Sequence, residues 1–186
     1  RRIGNNQLAI GIADVIGKGL PAAFMMSSFR GMIKAYLDCG YDSSNFGWLT
    51  ERLNKQACQE CRDGEFITYF HSVINTSDRT LRYCNCGHEP TILIRDGEFF
   101  DLDEGGLVLG VVEDTEYKTD TVELRDGDCL IYYTDGLIDA MNFDGEIWTR
   151  ERLIKALMKF VDCPADQMIS NVLGYRRRFV GLTRQI

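Results

Sequence analysis

From Leu8 to Ala13 the chain reads Leu-Ala-Ile-Gly-Ile-Ala, a nearly continuous apolar run that predicts a strand buried on both faces. The run delivers one carboxylate, Asp14, at its end. Gly17-Lys18-Gly19 then predicts a flexible loop, and Pro21 stands where a first helical turn tolerates it. Ala22, Met26, Phe29, Ile33 and Tyr36 follow at helical spacing as an apolar stripe. Ala23, Ser27, Gly31 and Ala35 form a second ridge, of small residues, that would let another element approach closely. A second helix is predicted from near Asn45, with Phe46, Leu49, Leu53 and Ala57 on its buried face, ending before Asp63-Gly64.

Beyond Gly64 the period changes from helical to alternating. Phe66 to Asn75 and Thr80 to Asn85 read as strands joined through Thr76-Ser77-Asp78-Arg79. Thr91 to Arg95 and Glu98 to Leu102 are joined by Asp96-Gly97, a strong hairpin signal. Lys118 to Leu124 and Cys129 to Thr134, linked through Arg125-Asp126-Gly127, predict a third hairpin. Helical spacing returns near Thr149 with Leu153, Ile154, Leu157 and Phe160, and again after Pro164 with Met168, Ile169, Val172 and Leu173. Two helices, a block of antiparallel hairpins and two more helices make an α+β order, since a parallel sheet would need helices between its strands. The 186 residues suit one well-buried domain, with no internal repeat or linker.

Composition narrows the function classes. Apolar content of 45% and charged content of 26% are ordinary for a soluble protein, and a net charge of −7 argues against nucleic acid or an anionic membrane as partner. The basic run Arg176-Arg177-Arg178 reads as a solvated helix end. No apolar stretch approaches the roughly 20 residues of a membrane helix. Seven cysteines, an odd number scattered through strands and helices, suggest reduced thiols and a cytoplasmic setting. Cys58 and Cys61 with Cys84, Cys86 and His88 offer zinc-ligand types, but the intervals match no common zinc module and the first pair falls in a predicted helix.

A carboxylate at the end of a buried strand is costly unless a cation, a metal or backbone donors stand beside it. A nucleotide P-loop is excluded, because five residues instead of four separate Gly11 from Gly17-Lys18 and Gly19 replaces the Ser or Thr. Asp14 then reads either as a ligand for a hard divalent cation, helped by a main-chain carbonyl such as that of Val15, or as a residue that caps the loop. A second apolar run, Asp128 to Thr134, also ends in Asp-Gly, at Asp135-Gly136. Two strands that each end in Asp look like two walls of one metal site.

At these residues the chain resembles a known family. Asp14-Val15-Ile16-Gly17-Lys18-Gly19-Leu20-Pro21-Ala22-Ala23, Asn85-Cys86-Gly87-His88-Glu89-Pro90, Gly106-Leu107-Val108-Leu109-Gly110 and Tyr133-Thr134-Asp135-Gly136-Leu137 are similar, in order, to the signatures of the SpoIIE-like (RsbU-type) bacterial serine phosphatases of the metal-dependent PPM superfamily. The resemblance implies a four-layer α-β-β-α sandwich, two stacked antiparallel sheets flanked by helices. It implies hydrolysis of a protein phosphoserine or phosphothreonine by a water held between two divalent ions, Mn or Mg, with no covalent enzyme nucleophile. No cysteine-phosphatase arrangement is present, and Asp101-Leu102-Asp103 lacks the context of aspartyl-phosphate chemistry.

Carried over residue by residue, the resemblance makes Asp14 the bridging metal ligand, Val15 a carbonyl donor and Asp135 a ligand to one metal. On the substrate side it points to Lys18, as an attractor of phosphate, and to Asn85 and His88, in a loop near the site. His88 as a general acid is a lesser reading, and Asp139 is read as a helix-start or surface acid. The implied substrate is a phosphoserine on a regulatory protein of the anti-sigma-factor antagonist type, with a sensor or receiver domain upstream and a homodimer left open. The family usually also has an acidic Gly-Asp segment before the first strand and a paired-Asp segment at the end. Their lack from Arg1-Arg2-Ile3-Gly4 and from Arg184-Gln185-Ile186 reads as truncation of the domain at both ends, or as the mark of a catalytically inactive, phosphatase-like binding module.

Overall fold

The computed structural model describes residues 1–39 and 46–181. Asn45, the expected helix start, and the end at Arg184-Gln185-Ile186 lie outside the described residues. The chain runs β1 (Gln7–Val15), α1 (Gly19–Asp38), α2 (Phe46–Glu60), β2 (Ile67–Asn75), β3 (Thr80–Cys86), β4 (Thr91–Arg95), β5 (Glu98–Leu102), β6 (Gly105–Gly106), β7 (Asp120–Glu123), β8 (Cys129–Ile131), a 3-10 turn at Asp135–Leu137, α3 (Arg150–Lys159) and α4 (Ala165–Val180).

The strands divide into two sheets. The larger has the order β1-β2-β3-β6 with β7 also on β3, and the smaller the order β5-β4-β8. All pairs are antiparallel except the short β3–β6 contact. Because strand side chains alternate between faces, each sheet buries two surfaces. On β2, Ile67, Tyr69 and Val73 join Phe29 of α1 and Phe46, Leu49, Leu53 and Ala57 of α2 in one core. The opposite face of β2 sends Phe70 into a second core between the sheets, with Leu81, Tyr83, Leu93 and Leu102. Ile92 and Ile94 on the outer face of β4 meet Leu153, Leu157, Met168 and Val172 of α3 and α4 in a third. Three cores between four layers make the α-β-β-α sandwich that the family resemblance implied.

Several local expectations hold. The four predicted apolar positions of α2 are at most 2% exposed. Asp96 and Gly97 take φ of 51° and 78°, the positive pair that a two-residue hairpin turn requires, and β4 and β5 pair through them from Arg95↔Glu98. Others fail for tertiary reasons. β1 is not buried on both faces: most of its residues are only partly buried, and Leu8 is 37% exposed, because β1 has a described strand on one side only. The small ridge of Ala23, Ser27, Gly31 and Ala35 faces outward, with no described element packed on it.

The third hairpin is also overturned. β7 pairs with β3 in the larger sheet and β8 with β4 in the smaller, so the Arg125–Asp128 link crosses between layers. Arg95 pins that crossing: its Nε and Nη2 donate to Asp128 Oδ1 and Oδ2 at 2.8 and 2.6 Å, while Asp128 Oδ2 also accepts from the Arg125 amide at 2.8 Å. Turn chemistry specified a reversal, and the choice of partner strand was left to the sheets.

Candidate active site

Where the two sheets end side by side, β1, the loop after β3 and the turn after β8 converge on an open cleft of about 550 Å³. Asp14, Val15, Lys18, Thr68, His88, Glu89 and Asp135 are among its lining residues. Asp14 sits one residue before the end of β1, opposite Thr68 of β2. The Gly17–Gly19 loop then turns away, and α1 starts with Lys18 as its N-cap. Asp135 opens the 3-10 turn after Tyr133. Two segments more than a hundred residues apart therefore meet in one cleft, each carried by an edge strand of its own sheet or the turn that follows it.

Asp14 and Asp135 line the same cleft, close enough for the Asp135 carboxylate to act on that of Asp14. Partial burial, and then the neighbouring Asp135 charge, push the Asp14 pKa above the ordinary carboxylate value; the Val15 amide and His88 oppose this. A partly buried carboxylate with a second carboxylate beside it is poorly placed unless a cation lies between them. All the nearby donors of this kind are oxygens, the set that hard ions such as Mg and Mn select.

His88 is 6% exposed and both its ring nitrogens are engaged. Nε2 lies 3.1 Å from the Tyr133 carbonyl, which only accepts, so Nε2 carries the proton. Nδ1 then accepts from the Thr68 hydroxyl at 2.8 Å, an oxygen that is also 3.4 Å from the Asp14 carbonyl. Burial lowers the His88 pKa, which keeps the ring neutral. Asn85 does not line the cleft. Its side chain closes the loop instead, with Nδ2 donating to the His88 carbonyl at 2.9 Å and Oδ1 accepting the His88 amide at 2.7 Å. Gly105 packs over this corner so closely that an added Cβ would stand 1.7 Å from the Asn85 carbonyl oxygen.

A set of supporting residues escaped the sequence reading. Arg176 of α4 donates from Nε to the Leu137 carbonyl and from Nη2 to the Gly136 carbonyl, both at 3.0 Å, and so holds the turn that carries Asp135. The reading of Arg176-Arg177-Arg178 as a solvated helix end is thus corrected at Arg176. Tyr133 accepts from Arg150 Nε at 3.0 Å and donates to Glu89 at 3.4 Å, while Arg150 also pairs with Asp101. Asp139 is exposed at its carboxylate, and its amide donates to the Asp135 carbonyl at 2.9 Å. Only the helical position of Arg176 and the motif membership of Glu89 and Tyr133 could have marked these residues, and neither says what they touch.

The family model for stage II sporulation protein E (SpoIIE) matches residues 4–181. Phosphoserine phosphatase RsbU of Bacillus subtilis is 32% identical over 165 residues, covering 88% of this chain and 48% of RsbU, so the chain spans about half the length of that relative. Among solved structures, the SiaA PP2C domain of Pseudomonas aeruginosa superposes with a TM-score of 0.82 at 19% identity, over 99% of this chain and 74% of that one. The catalytic domain of the serine threonine protein phosphatase PstP, solved in complex with 2 manganese ions, superposes with a TM-score of 0.65 at 16% identity, over 98% of this chain and 89% of that one. These two likenesses establish the fold.

Proposed function

The chain belongs to the SpoIIE family, and from that membership we propose that it carries the catalytic machinery of a divalent-metal-dependent protein serine/threonine phosphatase. The observation that carries the reading is the convergence of Asp14 and Asp135, from the two sheets, on one cleft shared with Lys18. The Asp14 and Asp135 carboxylates and the Val15 carbonyl are the groups that would hold the metal, two ions of Mn or Mg. Bound there, such ions supply a water of lowered pKa and neutralise charge on the phosphoryl oxygens.

The remaining roles fall to the chain itself. Lys18, exposed on the cleft wall, draws the phosphate toward the carboxylates. His88, neutral and held at both nitrogens, ties β2 to the backbone of Tyr133 and so fixes the separation of the two walls; with neither nitrogen free, it positions instead of donating a proton. Asn85 sets the loop that presents His88 and Glu89. The substrate is a phosphoserine on a regulatory protein of the anti-sigma-factor antagonist type, a reading supported by similarity to a phosphoserine phosphatase. A sensor or receiver domain in the parent protein would control it.

The test is phosphate release from a phosphoserine protein with Mn added. The chain would be assayed as it stands and with its native flanking sequence, each beside an Asp14→Asn variant. Release that disappears with Asp14→Asn is the expected result. A folded, flanked form that stays silent in the presence of Mn would overturn the proposal and leave a non-catalytic binding module of the same fold.

A further inference from the structure

A second group of ligand-type side chains lies on the far side of the larger sheet from the cleft residue Thr68. His71 of β2 stands in register opposite Cys84 of β3, and Cys86, two residues on, shares the helix-facing side with Cys84. One ligand atom from each of the three lies within 4.8 Å of the others. The cysteines are 0% exposed and His71 is 4% exposed. The Cys84 and Cys86 sulfurs are 4.0 Å apart, close to the ~3.8 Å edge of a tetrahedron built on Zn–S bonds of about 2.3 Å.

The surroundings are those of a formed site. The His71 ring is stacked between Phe46, at 4.2 Å and an interplanar angle of 1°, and Tyr69, at 4.9 Å and 4°. Its orientation is therefore fixed by packing. Thr50 of α2, fully buried, places its hydroxyl 2.8 Å from His71 Nε2 and beside Cys84, the one hydroxyl oxygen these contacts bring to the cluster. His71 also lines a cavity of about 320 Å³ between β1 and α1, which offers an entry path.

We propose that His71, Cys84 and Cys86, with Thr50 in the fourth position, form a structural zinc site separate from the oxygen-lined cleft. Charge selects the ion. Two thiolates and a neutral imidazole around Zn²⁺ sum to zero, which suits a site closed to solvent; a monovalent thiophilic ion would leave a buried net negative charge. Binding breaks the two S–H bonds, forms two Zn–S bonds and releases two protons to solvent. The two thiols differ in acidity: the hydrogen bond from Cys86 lowers the Cys84 pKa, and burial raises that of Cys86. The sequence offered Cys84 and Cys86 as zinc ligands with His88 and the Cys58/Cys61 pair. The fold instead supplies His71, from the neighbouring strand, and commits His88 to Thr68 and Tyr133.

The experiment is titration of the reduced, chelator-treated protein with Co²⁺ under anaerobic conditions, followed by Zn²⁺. The expected result is one equivalent of cobalt giving a thiolate-to-metal charge-transfer band and intense tetrahedral d–d bands, both displaced by one zinc. Asp14→Asn leaves these bands unchanged, because carboxylate-bound cobalt has no thiolate transition. Cys84→Ser and Cys86→Ser each weaken affinity by more than about a hundredfold, beyond the 10–100-fold typical of outer-shell changes. A wild-type protein that shows no charge-transfer band at saturating cobalt overturns the proposal and leaves the thiols as core packing, whether or not the serine variants fold. A band that survives in both folded serine variants overturns it equally.

Discussion

Arg176→Ala removes the clamp on the turn that carries Asp135. The guanidinium makes two charge-assisted hydrogen bonds of 3.0 Å, to the Gly136 and Leu137 carbonyls. Each such bond is worth about 1.5–3 kcal/mol when well desolvated. The bond to Gly136 is exposed and contributes little, so the pair together is set at about 1.5–3 kcal/mol. If that energy holds Asp135 in place against Asp14, its loss weakens cation binding by roughly tenfold to a hundredfold, the range seen for groups that orient metal ligands. Calorimetric titration with Mn²⁺ reads this directly and does not depend on turnover. Arg176→Lys, which keeps the charge but not the forked geometry, should fall between wild type and Ala. The thermal midpoint should also drop, by a few degrees for a domain of this size. An Arg176→Ala protein that loses thermal stability yet binds Mn²⁺ with wild-type affinity would refute the reasoning, because the clamp would then support the fold alone.

Three further predictions follow from other parts of the molecule. Thr68→Val deletes the donor to His88 Nδ1 while keeping the shape; it should weaken Mn²⁺ binding several-fold and lower the thermal midpoint by a few degrees through the unsatisfied buried nitrogen, and a wild-type titration would show that His88 needs no partner on β2. Phe70→Ala empties a fully buried site between the sheets, with an expected cost of about 3–5 kcal/mol in denaturant unfolding. Asp128, 6% exposed at its side chain, is held below the ordinary carboxylate pKa first by its hydrogen bonds to Arg95. Its contribution to stability is therefore complete above its unfolded pKa of about 3.9 and is lost as pH falls through the lower folded value, so Asp128→Asn should be less stable than wild type at neutral pH and converge with it in strong acid, as thermal melts across that range would record.

The linear pattern of residues determined much of this protein. The helical stripe at Phe46, Leu49, Leu53 and Ala57, the Asp96-Gly97 turn and the alternation along β2 each act over a few residues, where backbone geometry and side-chain spacing suffice. Asp14 and Asp135 were legible as candidates because a carboxylate ending an apolar run is costly wherever the strand goes. What the pattern left open was which distant segments meet. The link at Arg125–Asp128 encodes a turn, but the strand that each flank joins depends on hydrogen-bonding edges and on the Arg95 pair, formed only once β4 is in place. Arg176 looks like any surface arginine until α4 lies beside the Asp135 turn. Cys84 and Cys86 find their histidine on a neighbouring strand thirteen residues before the first of them, in register, instead of two residues past the second. Local rules fix what each segment is; pairing and packing, which act between segments and register all layers at once, fix what each side chain touches.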